Sequence, residues 1–276
     1  SIFLVLSGYE SAHEVALHQP TKLAAMEGVY DGKSREGIIA VGVLNPEKEI
    51  GDANKEFLFK IEIPQMLSFL GFHDFNAFVP GINDLVYGNE KMKIESAATK
   101  IEKGKKAIAA LKAYKEAKKR GEQEAASSAL ETFKRYEKYF GYGYLEDPKE
   151  IIPPVALNFY SFHMMVGLGT WFMLLFFLVL YYAMIGQIER KKMLLRAALF
   201  SIPLGYLAAE LGWIVAESGR QPWAIQGMLP VGMASSQISV AAVQTTFWLF
   251  AVVFTVLLIA EIGIMTKQIK IGMEGH

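Results

Sequence analysis

Three long, nearly uncharged apolar runs close the chain, and a stretch rich in Ala, Lys and Glu precedes them. Together they predict a membrane all-α fold: three transmembrane helices preceded by an external, mostly helical domain. A third observation concerns the middle run, where Glu210, Trp213 and Glu217 recur at i, i+3 and i+7 and so project from one helix face. Ionisable residues inside a membrane helix cost a few kcal/mol unless they face protein, water or a cofactor. The pattern points to a cofactor site within a bilayer.

Composition agrees. Of 276 residues, 52% are hydrophobic and 12% aromatic, with mean hydropathy +0.24. Basic and acidic residues balance at 28 each, which argues against a nucleic-acid partner. The absence of Cys excludes disulfides, thiolate metal sites and thiol catalysis. No Walker loop, dinucleotide glycine fingerprint or HExxH motif occurs.

Residues 1–8 (SIFLVLSG) are too short for a span or a signal peptide and lack a basic start. They are expected to be an N-terminal stub or the last turns of a membrane helix that begins upstream. Residues 9–150 form the external domain. Within it, Gln19-Pro20-Thr21 opens a short helix over LAAMEGVY, a turn-rich stretch spans Asp31 to Gly37, and IIAVGVL reads as a strand. From Glu90 to Tyr139 the composition favours long exposed helices, expected as a hairpin, with breaks at Gly104 and Gly121.

Residues 151–276 form the membrane domain. The three spans are drawn as Pro154–Ile185, Ala197–Glu217 and Val240–Met265, with Pro203 expected to kink the second. Arg190, Lys191, Lys192 and Arg196 lie between the first two, and Lys267 and Lys270 follow the third. The positive-inside rule puts these clusters in the cytoplasm and the 9–150 domain outside. Residues 91–139 carry 14 basic and 7 acidic side chains, but long domains translocate largely regardless of charge.

Several residues have chemistry suited to a site, each beside a plainer reading. Glu217 can ligate haem iron or relay protons while Arg220 pairs a propionate, or the two form a structural ion pair. Met165 in the first span is an acceptable axial haem ligand, although most membrane methionines simply fill space. Gly167 and Gly169 would let a macrocycle or another helix approach. His163 can be a ligand, a propionate partner or a hydrogen-bonded structural residue, and Trp213 a packing aromatic. Lys22 and Glu27 point about 140° apart on an ideal helix and need not pair. Glu27 can accept a proton from a substrate hydroxyl or be a solvated surface charge.

Longer matches now become specific: SGYE (7–10), QPTKLAAMEG (19–28), FGYG (140–143), SFHMMVGLG (161–169), KKMLLRAAL (191–199), ELGWIVAESGRQPW (210–223) and LLIAE (257–261). The chain resembles subunit I of the cytochrome bd quinol oxidases, over its whole length but only the C-terminal part of that subunit. The resemblance implies that the segment after SGYE is the Q loop, an external quinol-binding region with Lys22 and Glu27 at its quinol-site positions. It implies Met165 as axial ligand of a low-spin haem b and Glu217 as the carboxylate of a high-spin haem b. Trp213 then lies on the electron route between haems, and Arg220, Glu210 and His163 line the cofactor region. His163 stands where several relatives carry Arg.

The resemblance also implies haem d, held in part by another chain, because the family's N-terminal helices supply the His partner of the low-spin haem and the ligand near haem d. Expected partners are a chain bearing those helices, a subunit II-like membrane chain and small accessory subunits. Quinol is the expected substrate and a prokaryotic cell membrane the expected location, with protons released outside and oxygen reduced. Two rivals stay open: a bd-like subunit using only haem b or another acceptor, and a haem-free scaffold or transporter subunit.

Overall fold

The computed structural model describes residues 2–236 and 238–271, which fall into two units, Ser1–Ala234 and Ser235–His276. The described part of the second unit holds one helix, α9 (Val240–Ile271), whose described side chains are nearly all exposed. It extends beyond Met265 because Lys267 and Lys270 can continue a helix while their charged ends reach for water.

The first unit opens with α1 (Ile2–His18), a single helix that runs well past residue 8, and α2 (Pro20–Glu27). Proline at the first position of α2 fixes φ for the helix, and Gly28 at φ 67° ends it by returning its N–H to the Ala24 carbonyl. Three small antiparallel pairs follow from extended segments. β1 (Lys33–Ser34) pairs β4 (Phe78–Val79), and β2 (Ile38–Leu44) pairs β3 (Phe57–Ile63). Between β3 and β4 sits α3 (Met66–Phe72), and α4 (Ile82–Tyr87) comes next.

The Lys-rich stretch forms the expected helical hairpin of α5 (Ala97–Arg120) and α6 (Gln123–Tyr136). Ser96 Oγ caps α5 by accepting from the Thr99 N–H, and Lys118, Lys119 and Arg120 occupy its last turn, where the helix dipole favours cations. Gly121 breaks the pair at φ 76°, but Gly104 does not break α5. It is buried mid-helix, where a Cβ would collide with the Gly143 N–H and the Tyr139 carbonyl. Its role is close approach, not termination.

Two membrane helices complete this unit: α7 (Val155–Met184) and α8 (Lys192–Ser218), antiparallel neighbours joined by a turn through Gly186. The second starts five residues earlier than its apolar run, and it continues through Pro203. Partly buried polar pairs hold the two together. Ser218 Oγ donates to Asn158 Oδ1 (2.9 Å) where α7 begins and α8 ends, and Trp171 Nε1 donates to Ser201 Oγ (2.8 Å) deeper in the span. Such bonds hold membrane helices together where the hydrophobic effect cannot. After α8, Trp223 opens β5 (Trp223–Ile225), which pairs β6 (Leu229–Pro230).

The core sits where the elements before α7 meet the ends of α7 and α8. One cluster gathers Tyr30, Ile82, Leu85, Ile101, Ile151 and Trp223; another joins Ala16 of α1, Leu23 and Met26 of α2, Leu67 of α3 and Val215 of α8. Phe159 of α7 is fully buried against Ile39 and Leu44 of the β2–β3 hairpin. The membrane hairpin and the elements before it thus share a packed core. Among the described residues three helices, α7, α8 and α9, are long and apolar enough to cross a membrane.

Candidate functional site

Helix α2 sends its two candidate residues in different directions. Lys22 lies half-buried against the end of α8, with its Cε 3.0 Å from where a Cβ on Gly219 would be. Burial lowers its pKa, Arg220 lowers it further, and Glu217 opposes both. No ion pair joins Lys22 to Glu27.

Glu27 is not a solvated charge. It is 1% exposed beneath the β2–β3 hairpin, and its Oε2 has no hydrogen-bond partner among the described residues. Burial pushes its pKa up to about 8; a hydrogen bond from the Ile39 backbone opposes the rise and the Glu36 charge adds to it. A carboxyl of that strength is suited to taking a proton near neutral pH.

His163 bridges two elements. Its Nδ1 lies 2.8 Å from the Phe159 carbonyl on its own helix, and its Nε2 lies 2.7 Å from the Ile39 carbonyl on β2. Both nitrogens thus face backbone carbonyls, to one of which a neutral ring donates its single N–H. The ring acts as a clasp between α7 and the hairpin that covers Glu27.

Met165, two residues further along α7, faces α8 at Gly212, where an added Cβ would meet its sulfur at 3.0 Å. The packing sets Met165 level with Gly212, five residues or about 7.5 Å along the axis from Glu217. Around Gly167 and Gly169 an added Cβ would meet nothing within 4 Å, so that side of α7 is open.

Glu217 and Arg220 form an ion pair at 2.6 Å, with side chains 49% and 41% exposed. Turning the same way along α8 are Tyr206, Glu210 and Trp213, all exposed, Trp213 by 64%. An ionisable, aromatic stripe on a membrane helix needs a cover other than lipid.

Sequence patterning missed four residues. Trp223 is 1% exposed and stacks edge-on against Tyr142 at 4.8 Å, anchoring the GRQPW segment in the core with Tyr30, Ile82 and Leu85. Asn158 and Ser218 tie α7 to α8 just beside Gly219. Glu36 lines a cavity with Glu27. Trp223 alone had a sequence signal, its place in GRQPW; the rest depend on tertiary contacts.

Residues 1–273 match the family model described as cytochrome bd terminal oxidase subunit I. The chain belongs to that family. It is 31% identical to cytochrome bd-II ubiquinol oxidase subunit 1 of Escherichia coli (strain K12), covering 96% of this chain and 51% of the relative. Cytochrome bd ubiquinol oxidase subunit 1 of Bacillus subtilis (strain 168) is 25% identical, covering 98% and 45%. The chain thus spans about half the length of these relatives. The bd oxidase structure from Geobacillus thermodenitrificans shares the fold, with TM-score 0.57 and 24% identity over 97% of this chain and 46% of that one. Membership in the family, with its three helices long and apolar enough to span a bilayer, makes this a membrane protein, and the family is one of haem-carrying cytochromes.

The donor set fits haem from one side. Met165 brings a thioether and Glu217 a carboxylate beside a guanidinium, both reachable on the α7–α8 pair. Of the described histidines, His163 faces backbone carbonyls, His13 and His73 stack on each other at 4.2 Å beside α1 and α3, and His18 lies 3.4 Å from Glu14 on α1. No cluster of three or more metal-binding side chains occurs among the described residues.

Proposed function

We propose that this chain is the haem-carrying, quinol-oxidising part of a cytochrome bd-type quinol:oxygen oxidoreductase. The observation that carries the reading is the meeting of Lys22, from the Q loop, with the Gly219–Arg220 end of α8. It sets the residue at the quinol-site position against the segment that bears Glu217.

Lys22 is placed to donate a hydrogen bond to a quinol oxygen, and Glu27 to take the hydroxyl proton. Met165 would hold the iron of a low-spin haem b and Glu217 that of a high-spin haem b, with Arg220 for a propionate and Glu210 on the same face. Haem b in its two spin states, together with haem d, would supply one-electron transfer and oxygen reduction. Trp213, exposed one turn before Glu217, lies on the route between the two positions. His163 keeps the Glu27 cover and the Met165 helix in register.

The covering partner is a chain supplying the helices that carry the opposing His ligands, with a subunit II-like membrane chain and small accessory subunits completing the complex. The exposed stripe on α8 supports that reading. The basic turn of Arg190 and Lys191 lies at the opposite end of α7–α8 from the Q loop. By the positive-inside rule the Q loop then faces outward from a prokaryotic cell membrane. Quinol oxidation there, with proton uptake for oxygen reduction from the other side, builds a proton gradient.

The test is turnover of the purified complex carrying Lys22→Ala or Glu27→Gln. Both should slow quinol oxidation, by about 10²-fold or more for the base, while artificial donors still reduce the haems. Equal loss with both kinds of donor would refute the quinol-site assignment.

A further inference from the structure

Beside Glu27 lies a cavity of about 20 Å³. A single water needs roughly 10–15 Å³ measured this way, so the space suits one water and excludes a quinol ring. It is lined by two acids that are both nearly inaccessible, Glu27 at 1% and Glu36 at 5% exposure. We propose that Glu36 is the relay through which a proton taken up by Glu27 leaves for the outer solution. The proposal rests on Glu27 being the proton acceptor of quinol, as above.

The other charged groups around the cavity are already occupied or face outward. Glu56 Oε1 accepts from the Tyr30 and Asp31 backbone N–H groups, each at 3.2 Å, and Lys60 pairs Glu62 at 2.9 Å. Asp31 accepts from Asn83 at 2.7 Å through its Oδ1. Glu36 differs. Its side chain is 6% exposed but lies 3.1 Å from Lys33 Nζ, whose side chain is 52% exposed and also reaches Glu62 at 3.8 Å. It is the described cavity acid that joins a buried interior to a solvent-facing cation.

Its backbone is fixed as a relay requires. The Glu36 N–H donates to Ser68 Oγ at 2.8 Å, and its carbonyl accepts from the Leu67 and Ser68 N–H groups at the start of α3. The inner end is open: a purely structural buried carboxyl would normally have its oxygens satisfied, yet Glu27 Oε2 is not. Burial pushes both acids up, Lys33 restraining Glu36, so their proton affinities move in the same direction.

The balance is simple. Oxidation of one quinol to quinone breaks two O–H bonds and releases two electrons and two protons, the electrons leaving by the route proposed above. Each of the two protons passes in turn to the Glu27 carboxylate, then through the cavity to the Glu36 carboxylate, then to water beside Lys33, so that two protons leave per quinol. Both acids return to their starting ionisation.

The experiment compares Glu36→Gln, Glu36→Asp, Glu27→Gln and the Glu27→Gln/Glu36→Gln pair in the purified complex. Quinol kcat and KM are measured from pH 5.5 to 9 in water and deuterium oxide, with haem content as control. Glu36→Gln should lower kcat about tenfold or more with KM nearly unchanged, raise the solvent isotope effect and alter the pH profile. Glu36→Asp should restore most of the rate, and the double variant should be no slower than Glu27→Gln alone. A slow Glu27→Gln beside a wild-type Glu36→Gln would overturn the relay and leave the quinol base standing. An unimpaired Glu27→Gln would overturn both. Haem loss in both Glu36→Gln and Glu36→Asp would make Glu36 structural and overturn the relay.

Discussion

Lys22 crosses Gly219. A Cβ on that glycine would lie 3.0 Å from Lys22 Cε, 2.9 Å from Asn158 Oδ1 and 2.5 Å from the Val215 carbonyl oxygen. Gly219 has an ordinary helical φ of −68°, so space and not conformation requires glycine. Through this contact α2 reaches the helix that bears Glu217.

Gly219→Ala should therefore disturb quinol binding before it disturbs haem. Overpacking a tight site costs about 1–3 kcal/mol, and the most easily displaced neighbour is the flexible Lys22 stem. The expected result is a several-fold rise in quinol KM with haem spectra intact. Normal KM with reduced yield of complex would place the strain in the α7–α8 joint instead.

The pH dependence of stability should report on Glu27. Its folded pKa, about 8, lies above the ordinary 4.5. As pH rises from about 4.5 to 8 the unfolded chain loses this proton first, so the folded state binds more protons and stability falls. The penalty is absent below the lower value and fully developed above the upper one. Glu27→Gln removes it, worth on the order of a few kcal/mol. Thermal midpoints of the complex at pH 5 and 8.5 should differ less in Glu27→Gln than in the wild type. Equal pH dependence in both would mean that Glu27 is ionised without cost.

The three membrane helices were legible because 32 consecutive residues without formal charge, as in 154–185, have few alternatives to a span. Their ends were less so, since Lys192 and Lys270 extend helices that hydropathy cuts short. Burial of Glu27 was not legible at all. It depends on a hairpin formed by residues 38–63 folding over α2 and on Phe159 of α7 closing the far side. Gly104 misled for a similar reason: a helix-breaking residue reads alike whether it ends a helix or admits a neighbour. The stripe of Glu210, Trp213 and Glu217 was legible from spacing, whereas the level of Met165 emerged only from its packing on Gly212.

Met165→Leu should retain the assembled complex and lose the low-spin haem b signal. Leucine nearly conserves volume against Gly212, which limits the packing cost to under about 1.5 kcal/mol, but has no sulfur to ligate iron. Reduced-minus-oxidised spectra with redox titration decide the matter. An unchanged low-spin spectrum and potential would remove Met165 from the axial position and move attention to exposed Met164.

Glu217 and Arg220 offer the sharpest separation of a structural from a cofactor role. They pair at 2.6 Å, yet both side chains are roughly half exposed, and such pairs typically contribute no more than about 1 kcal/mol. Breaking the pair should not unfold the α7–α8 hairpin, which the Asn158–Ser218 and Trp171–Ser201 bonds hold independently. If Glu217 serves the high-spin haem b, Glu217→Ala should remove or perturb that haem and abolish oxygen reduction while quinol still reduces the low-spin haem. Arg220→Ala should weaken haem retention by leaving a buried propionate unpaired. Haem extraction and spectra of each variant measure this directly. Full high-spin haem and oxidase activity in Glu217→Ala would reduce the pair to a surface ion pair, and the charged stripe on α8 would then need a protein partner instead of a cofactor.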